Sequence, residues 1–214
     1  GSTLWCKSLV GMEILSSDEK GLQQAVELLR KGGIGAFPTD TVYGLGARID
    51  SESAIRKIFK AKGRGYGQPL PILIAETEQL YQIALKIPPL AWKLAEHFWP
   101  GGLTLILTKA PQISKLISAG GNTVGVRVPR HPIPVALIKG LGIPIVGTSA
   151  NLSGQPSPVT AKEVIAQLDE KLDFVIDGGR CPGGKESTII DLTQQPPRIL
   201  REGAIARIMI EKLL

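Results

Sequence analysis

Residues 174–201 read FVIDGGRCPGGKESTIIDLTQQPPRILR. Three short apolar runs lie within this stretch: FVID, STIIDL and RILR. Each has the length and β-branched content of a strand. The segments between them carry glycine and proline and leave no room for a helix. Parallel neighbours in one sheet need a crossover of about a dozen or more residues. Strands this close together break any regular strand–helix–strand series and favour a mixed sheet with some antiparallel pairs.

Upstream the chain alternates between two periodicities. In SSDEKGLQQAVELLRKGG, Leu22, Ala25, Val26 and Leu29 share one helical face. Ser16 and Glu19 fit a capping box at its start, and Gly32-Gly33 fit its stop. IGAF reads as a buried strand. DSESAIRKIFKAKG is a second helix, with Ile55, Ile58 and Phe59 on one face. LPILIA is a strand, and TEQLYQIAL and PPLAWKLAEHF are helices. LTLILT and VGVRV are strands, HPIPVALIKGLG a helix with a proline-rich start, and IPIVGTS a strand. TAKEVIAQLDEKL and AIARIMIEKLL complete the helices. There is no repeat, linker or low-complexity stretch. The expected fold is α/β, a mixed parallel and antiparallel sheet flanked by helices. It forms one domain over 13–206, with 1–12 an N-terminal extension or tag remnant and 207–214 the end of the last helix.

Composition narrows the function classes. The chain has 214 residues, 43% hydrophobic and 21% charged, which is ordinary for a globular domain. Its formal charge of +6 suits anionic partners, although the basic residues are dispersed. Two cysteines, Cys6 and Cys181, exclude a disulfide framework and a zinc cluster, and fit a reducing, cytoplasmic setting. No apolar run reaches the roughly 18 residues of a membrane span, and the N-terminus shows no signal-peptide pattern.

Several motifs are decoys. Gly179, Gly184 and Lys185 have the spacing of a phosphate-binding P-loop, but Glu186 follows where Ser or Thr should stand, and then a strand where a helix is needed. A flexible glycine loop fits better. His97 reads as a half-buried helix residue beside Phe98 and Trp99, and His131 as structural at a helix start. Cys181 has no histidine near it in sequence to activate it.

What remains is hydroxyls, cations and loops at strand ends. Pro38–Gly46 (PTDTVYGLG) follows a strand. Lys60–Arg64 (KAKGR) ends a helix and leads to Gln68. Gly147–Gly154 (GTSANLSG) follows a strand. Glu186-Ser187-Thr188 precedes Arg198 and Arg201. Lysine and arginine supply charge and a bidentate fork, hydroxyls and Asn donate further hydrogen bonds, and glycines admit backbone N–H groups to phosphate. Together they have the make-up of a nucleotide-phosphate site with a small polar pocket beside it.

PTDTVYGLG, KGR, Ser149-Ala150-Asn151 and EST followed by IIDL, in that order, resemble the threonylcarbamoyl-adenylate synthase family, the YrdC-like domain. The resemblance runs from about Glu13 to Ile205 and is to the short, single-domain form. It implies a YrdC-like/RibB-like fold, a twisted sheet with a large central cavity. It also implies a nucleotidyltransferase of tRNA modification. L-threonine, bicarbonate and ATP give threonylcarbamoyl-AMP and pyrophosphate, the first step toward N6-threonylcarbamoyladenosine in tRNA. Thr41, Tyr43, Arg127, Gly147 and Ser187 then match the threonine site, with Arg127 gripping the carboxylate. Lys62, Arg64, Ser149 and Asn151 match the catalytic set that holds phosphates. Gln68, Thr123, Ser157 and Arg201 match further ATP contacts. Mg²⁺ is expected as a cofactor on the ATP phosphates, with no protein metal site. Downstream threonylcarbamoyl-transfer proteins and tRNA are the expected partners, and no membrane.

The sequence departs from the family pattern at Gly65, where proline is common, at Gln68, where Asn or Lys is common, and at Leu73, where some members have histidine toward threonine. Two other functions stay open: an RNA-binding module on the same fold, and a paralogue that adenylates a different carbamate.

Overall fold

Segment 44–48, GLGAR, holds no β-branched residue, yet it forms a strand because both of its edges are paired. The computed structural model describes residues 11–214, and in it β3 (Gly44–Arg48) lies between β2 (Gly35–Phe37) and β8 (Ile145–Ser149), antiparallel to both. Among the described residues the sheet has eleven strands. The others are β1 (Glu13–Ser16), β4 (Ile72–Leu73), β5 (Ala84–Leu85), β6 (Leu103–Lys109), β7 (Thr123–Arg127), β9 (Phe174–Asp177), β10 (Thr188–Asp191) and β11 (Arg198–Arg201). Their order is β1-β9-β2-β3-β8-β4-β7-β6-β10-β11, with β5 beside β6. Parallel pairs (β1–β9, β9–β2, β4–β7, β6–β10) mix with antiparallel ones throughout. The mixed sheet expected from the 174–201 stretch is present, and β10–β11 is one of its antiparallel pairs.

Seven α-helices flank the sheet among the described residues. They are α1 (Glu19–Arg30), α2 (Glu52–Lys62), α3 (Leu80–Ile83), α4 (Pro89–Phe98), α5 (Pro132–Leu141), α6 (Ala161–Leu168) and α7 (Arg207–Glu211). One apolar layer joins Ala25, Val26 and Leu29 of α1 to Ile133, Leu137 and Ile138 of α5 over Phe37, Ile145 and Phe174. A larger layer takes in Ile55, Ile58 and Phe59 of α2, Leu94 of α4 and Val164 of α6. Burying each of the Val, Leu, Ile and Phe side chains among these contributes roughly 1.5–3 kcal/mol.

Several local expectations change. Asp18, not Ser16, caps α1, accepting from Gly21 N at 2.8 Å, while the Ser16 hydroxyl donates to the Asp18 carboxylate. Strand β1 ends at Ser16, which takes that residue out of the cap position. TEQLYQIAL forms a single 3-10 turn and four residues of α3, because Ala84 and Leu85 pair with β6. LPILIA contributes only Ile72 and Leu73 to the sheet. His97 is exposed, its Nδ1 against the Lys93 carbonyl at 2.9 Å. His131 is the N-cap of α5, as its place at a helix start suggested: Nδ1 accepts from Ile133 N at 3.1 Å. Cys6, and ten of the twelve residues of the expected N-terminal extension, lie outside the described residues. Ile210, in the 207–214 tail, is fully buried in the larger core.

Candidate functional site

Strand alternation builds one wall of the site. In TVGVR, Val124 and Val126 face the core, while Thr123, Gly125 and Arg127 face the other way. On the neighbouring β6, Thr104 and Ile106 point to the same side. On β8, Gly147 and Ser149 do so. These positions, with Arg64, Gln68, Thr41, Ser187 and Arg201, line a cavity of about 340 Å³. The two motif loops on its rim are neighbours by register: Gly44 pairs with Ser149, Leu45 with Thr148, and Ala150 N donates to Tyr43 O at 2.9 Å.

The end of α2 supplies the cations. Gly63 takes the left-handed conformation (φ +62°) and stops the helix, so Lys62 and Arg64 leave in different directions. Lys62 is 3% exposed and does not line the cavity. Its ammonium donates to the Ser149 carbonyl and, at 3.1 Å, to Asn151 Oδ1. Burial, and then the neighbouring Arg64 charge, push its pKa down to about 8, with Glu186 opposing. The Ser149 hydroxyl donates to the same Asn151 oxygen at 2.5 Å, and Asn151 Nδ2 donates to the carbonyls of Leu152 and Gln155. Lys62, Ser149 and Asn151 are thus one hydrogen-bonded unit that fixes the loop after β8.

Arg64 reaches the cavity. It donates to Thr148 Oγ1 at 3.4 Å and to Pro69 O at 2.7 Å, with its guanidinium 5.9 Å from the Phe59 ring centroid. Burial lowers its pKa. Its Nε–H is buried and has no partner in the protein. An orphaned charged donor is costly unless a ligand satisfies it, and here it sits on a guanidinium at the cavity wall.

The opposite side is richer in hydroxyls than the sequence suggested. Thr104 Oγ1 and Ser187 Oγ are 2.7 Å apart and buried. Arg201 Nε and Nη2 donate to Ser187 O at 3.0 and 2.8 Å, and its Nη1 meets Glu186 Oε2 at 3.2 Å. Ser157 does not line the cavity; its hydroxyl donates to Glu186 Oε1 at 2.9 Å. Arg127 is 6% exposed and paired with Asp40 at 2.8 Å.

Tyr43 faces away from the cavity. Its hydroxyl donates to Gly179 O at 2.7 Å and accepts from Gly178 N at 3.3 Å, and burial raises its pKa to about 12. This ties the 178–185 glycine loop down. Gly184 N donates to Thr41 O at 2.9 Å, and a Cβ on Gly183 would lie 2.4 Å from Asp40 O. The loop expected to be flexible is a strap packed behind segment 40–41. Buried Cys181 within it has a pKa raised by burial, the wrong direction for a nucleophile.

Of the thirteen residues singled out in the sequence, the structure gathers Thr41, Arg64, Gln68, Thr123, Arg127, Gly147, Ser149, Ser187 and Arg201 around one cavity. Lys62 and Asn151 sit behind its wall, Ser157 behind Glu186, and Tyr43 in the core. Thr39, Asp40 and Glu186 lie in stretches that the sequence singled out without giving these residues roles of their own, and Thr104 was missed altogether. The period-two pattern of LTLILT and TVGVR was the available signal for Thr104.

A family model for Sua5/YciO/YrdC, described as "Telomere recombination", matches residues 27–203. A threonylcarbamoyl-AMP synthase of Pyrococcus abyssi is 46% identical over 197 residues, 92% of this chain and 58% of the relative. One from Bacillus subtilis is 43% identical over 201 residues, 94% of this chain and 58% of the relative. The crystal structure of P. abyssi Sua5 complexed with L-threonine is similar at a TM-score of 0.92 and 44% identity, covering 95% of this chain and 60% of that one. The chain therefore spans about 58% of the length of these two curated relatives.

Proposed function

Because the chain belongs to the Sua5/YciO/YrdC family, we propose that it is an L-threonylcarbamoyladenylate synthase, a nucleotidyltransferase acting on L-threonine, bicarbonate and ATP. The observation that carries this reading is the cavity itself. It joins Arg64, Arg127 and Arg201 to the hydroxyls of Thr41, Thr104, Ser149 and Ser187 in about 340 Å³. That make-up supports a site for two anionic substrates side by side, and no activated nucleophile is among the lining residues.

The chemistry needs none. The threonine amine adds to CO₂ drawn from bicarbonate and loses a proton to solvent, giving a carbamate. A carbamate oxygen attacks the α-phosphorus of ATP, the bond to the β,γ-diphosphate breaks, and pyrophosphate leaves. Arg64 meets the triphosphate, and its unpartnered Nε–H gains an acceptor. Lys62 adds positive field from behind and keeps Ser149 and Asn151 in place. Rotating the Ser149 hydroxyl away from Asn151 turns it to a phosphate oxygen. Gln68, Thr123 and Arg201 complete the nucleotide side, with Ser157 acting through Glu186. Thr41, Gly147 and Ser187 line the threonine side. Preorganised donors of this kind typically contribute several kcal/mol to the transition state.

Mg²⁺ fits as a passenger on ATP. Among the described residues no group of three or more His, Cys, Asp or Glu is placed to hold a metal, and Mg²⁺ commonly binds through substrate phosphates with few protein ligands. Bound there, it supplies neutralisation of phosphate charge. Among the described residues no helix is long and apolar enough to cross a membrane. We place the activity in the cytoplasm, upstream of proteins that transfer the threonylcarbamoyl group to tRNA; the basic net charge favours tRNA as a direct contact. Pyrophosphate release from ATP with bicarbonate and Mg²⁺ tests the reading. Release that depends on L-threonine and not on L-serine is expected; release indifferent to threonine would overturn it.

A further inference from the structure

Among the residues that line the central cavity, Glu186 is the sole carboxylate, and it stands between groups suited to phosphate. Both of its oxygens are engaged. Oε1 accepts from the Ser157 hydroxyl at 2.9 Å, and Oε2 accepts from Arg201 Nη1 at 3.2 Å. A hydroxyl and a guanidinium converging on two oxygens of one anion is also the pattern by which a phosphate group is held.

The two ends of the ion pair are not equally fixed. Arg201 is anchored without Glu186: its Nε and Nη2 donate to Ser187 O at 3.0 and 2.8 Å. Nη1 can therefore change acceptors while the guanidinium keeps its place. The Glu186 backbone is pinned, its carbonyl accepting from Ala204 N at 2.8 Å, but its side chain is 39% exposed. Beside it lies an outer cleft of about 560 Å³, lined by Lys185, Gly203 and Ala204, which shares Glu186 and Arg201 with the central cavity. The ion pair is thus the partition between two spaces, and the carboxylate has both room and a lysine on the outer side. Two forces favour its moving there. A central cavity of about 340 Å³ is near the lower end for one drug-sized ligand, and two substrates must share it. A polyphosphate is also repelled by a carboxylate held against it. Ion pairs this exposed are weak, so the exchange costs little.

We propose that Glu186 is an internal competitor of nucleotide phosphate: its carboxylate and a phosphate group take the same donors on Arg201 and Ser157, and ATP binding turns the carboxylate into the outer cleft. The proposal rests on the ATP-dependent reading above. Glu186 is then a positioning residue that touches no reacting atom. It keeps Arg201 and Ser157 aligned, and it sets nucleotide affinity by competition.

The sign of one substitution tests this. Glu186→Gln keeps the size and an acceptor for Ser157 and removes the charge. Affinities for ATP, inorganic pyrophosphate and adenosine are measured by calorimetry, with and without Mg²⁺, beside a melting curve. Glu186→Gln should bind ATP and pyrophosphate about three- to tenfold more tightly than the parent, with or without Mg²⁺. Adenosine, which has no phosphate, should bind within about twofold. Glu186→Ala should change in the same direction, which covers the case in which the Gln amide misplaces Ser157. In an Arg201→Gln background the gain should shrink to about twofold or less, because the contested donor is gone. Unchanged or weaker ATP binding in both Glu186 variants would overturn the competition and leave the enzyme assignment standing. Weaker binding only with Mg²⁺ would overturn it too, by making Glu186 a metal ligand. A parent protein that binds no ATP would overturn the enzyme assignment, and the competition with it.

Discussion

Gly183 lies in the strap behind the site, touches no part of the cavity, and is predicted to control threonine use. A Cβ there would sit 2.4 Å from Asp40 O and 3.1 Å from Thr41 Cα. Comfortable carbon contacts are about 3.5–4 Å, so Gly183→Ala must move one backbone against the other by roughly 1 Å. Overpacking of this kind typically costs about 1–3 kcal/mol. At roughly 2–4 °C per kcal/mol for a chain of this size, the thermal midpoint should fall by about 2–12 °C. The displaced residues are the ones that hold Arg127, and a misplacement near 1 Å is worth up to about 10²-fold in rate. The assay is threonine-dependent pyrophosphate release, read as kcat/KM for threonine, next to a melting curve. Gly179→Ala is the control. Gly179 has φ +84° and open space around its Cβ, so it adds left-handed strain of about 1–2 kcal/mol without pressing on Asp40. Both variants should melt earlier, and only Gly183→Ala should lose threonine efficiency. Equal threonine losses in the two, or an unaltered Gly183→Ala protein, would refute the reasoning.

Three other outcomes follow from the geometry. Lys62 has a folded-state pKa lowered to about 8 from 10.5, so between those values the unfolded chain binds more protons and stability must rise with pH. The stability of the parent minus that of Lys62→Met, from urea titrations, should therefore climb by up to about 3 kcal/mol between pH 7.5 and 10.5 at about 1.4 kcal/mol per pH step; a flat difference contradicts the burial argument. Tyr43→Phe leaves Gly178 N and Gly179 O without their hydroxyl partner and should cost about 1–3 kcal/mol in the same titration, with ATP affinity unchanged. Thr104→Val removes the partner of Ser187 and should raise the threonine KM by about three- to tenfold while the melting point holds within a few degrees; an unchanged KM would place threonine elsewhere in the cavity.

Much of the fold was legible because periodicity reports burial. Ile55, Ile58 and Phe59 on α2, and Val124 and Val126 on β7, are buried where their spacing places them. The strands that escaped notice have no such signal. β3 carries two glycines, and only its pairing on both edges makes it a strand. β1 is four residues long with an exposed Ile14, and is fixed by parallel pairing to β9, about 160 residues later. The site divides in the same way. Lys62, Arg64, Ser149 and Asn151 are close in sequence within their motifs and could be read together. The pairs Asp40–Arg127 and Thr104–Ser187 lie more than 80 residues apart, and only the sheet order brings them into contact.

The central claim is that a carbamate oxygen of threonine attacks the α-phosphorus, and isotope incorporation tests it most directly. The protein would be incubated with ATP, L-threonine, Mg²⁺ and ¹³C-bicarbonate, and the adenylate product weighed by mass spectrometry beside an Arg64→Ala control. Threonylcarbamoyl-AMP carrying one ¹³C, formed in equal amount to pyrophosphate and reduced about 10²-fold or more in Arg64→Ala, is the predicted result. An adenylate of threonine without the label, or pyrophosphate released with no labelled adenylate, would contradict it.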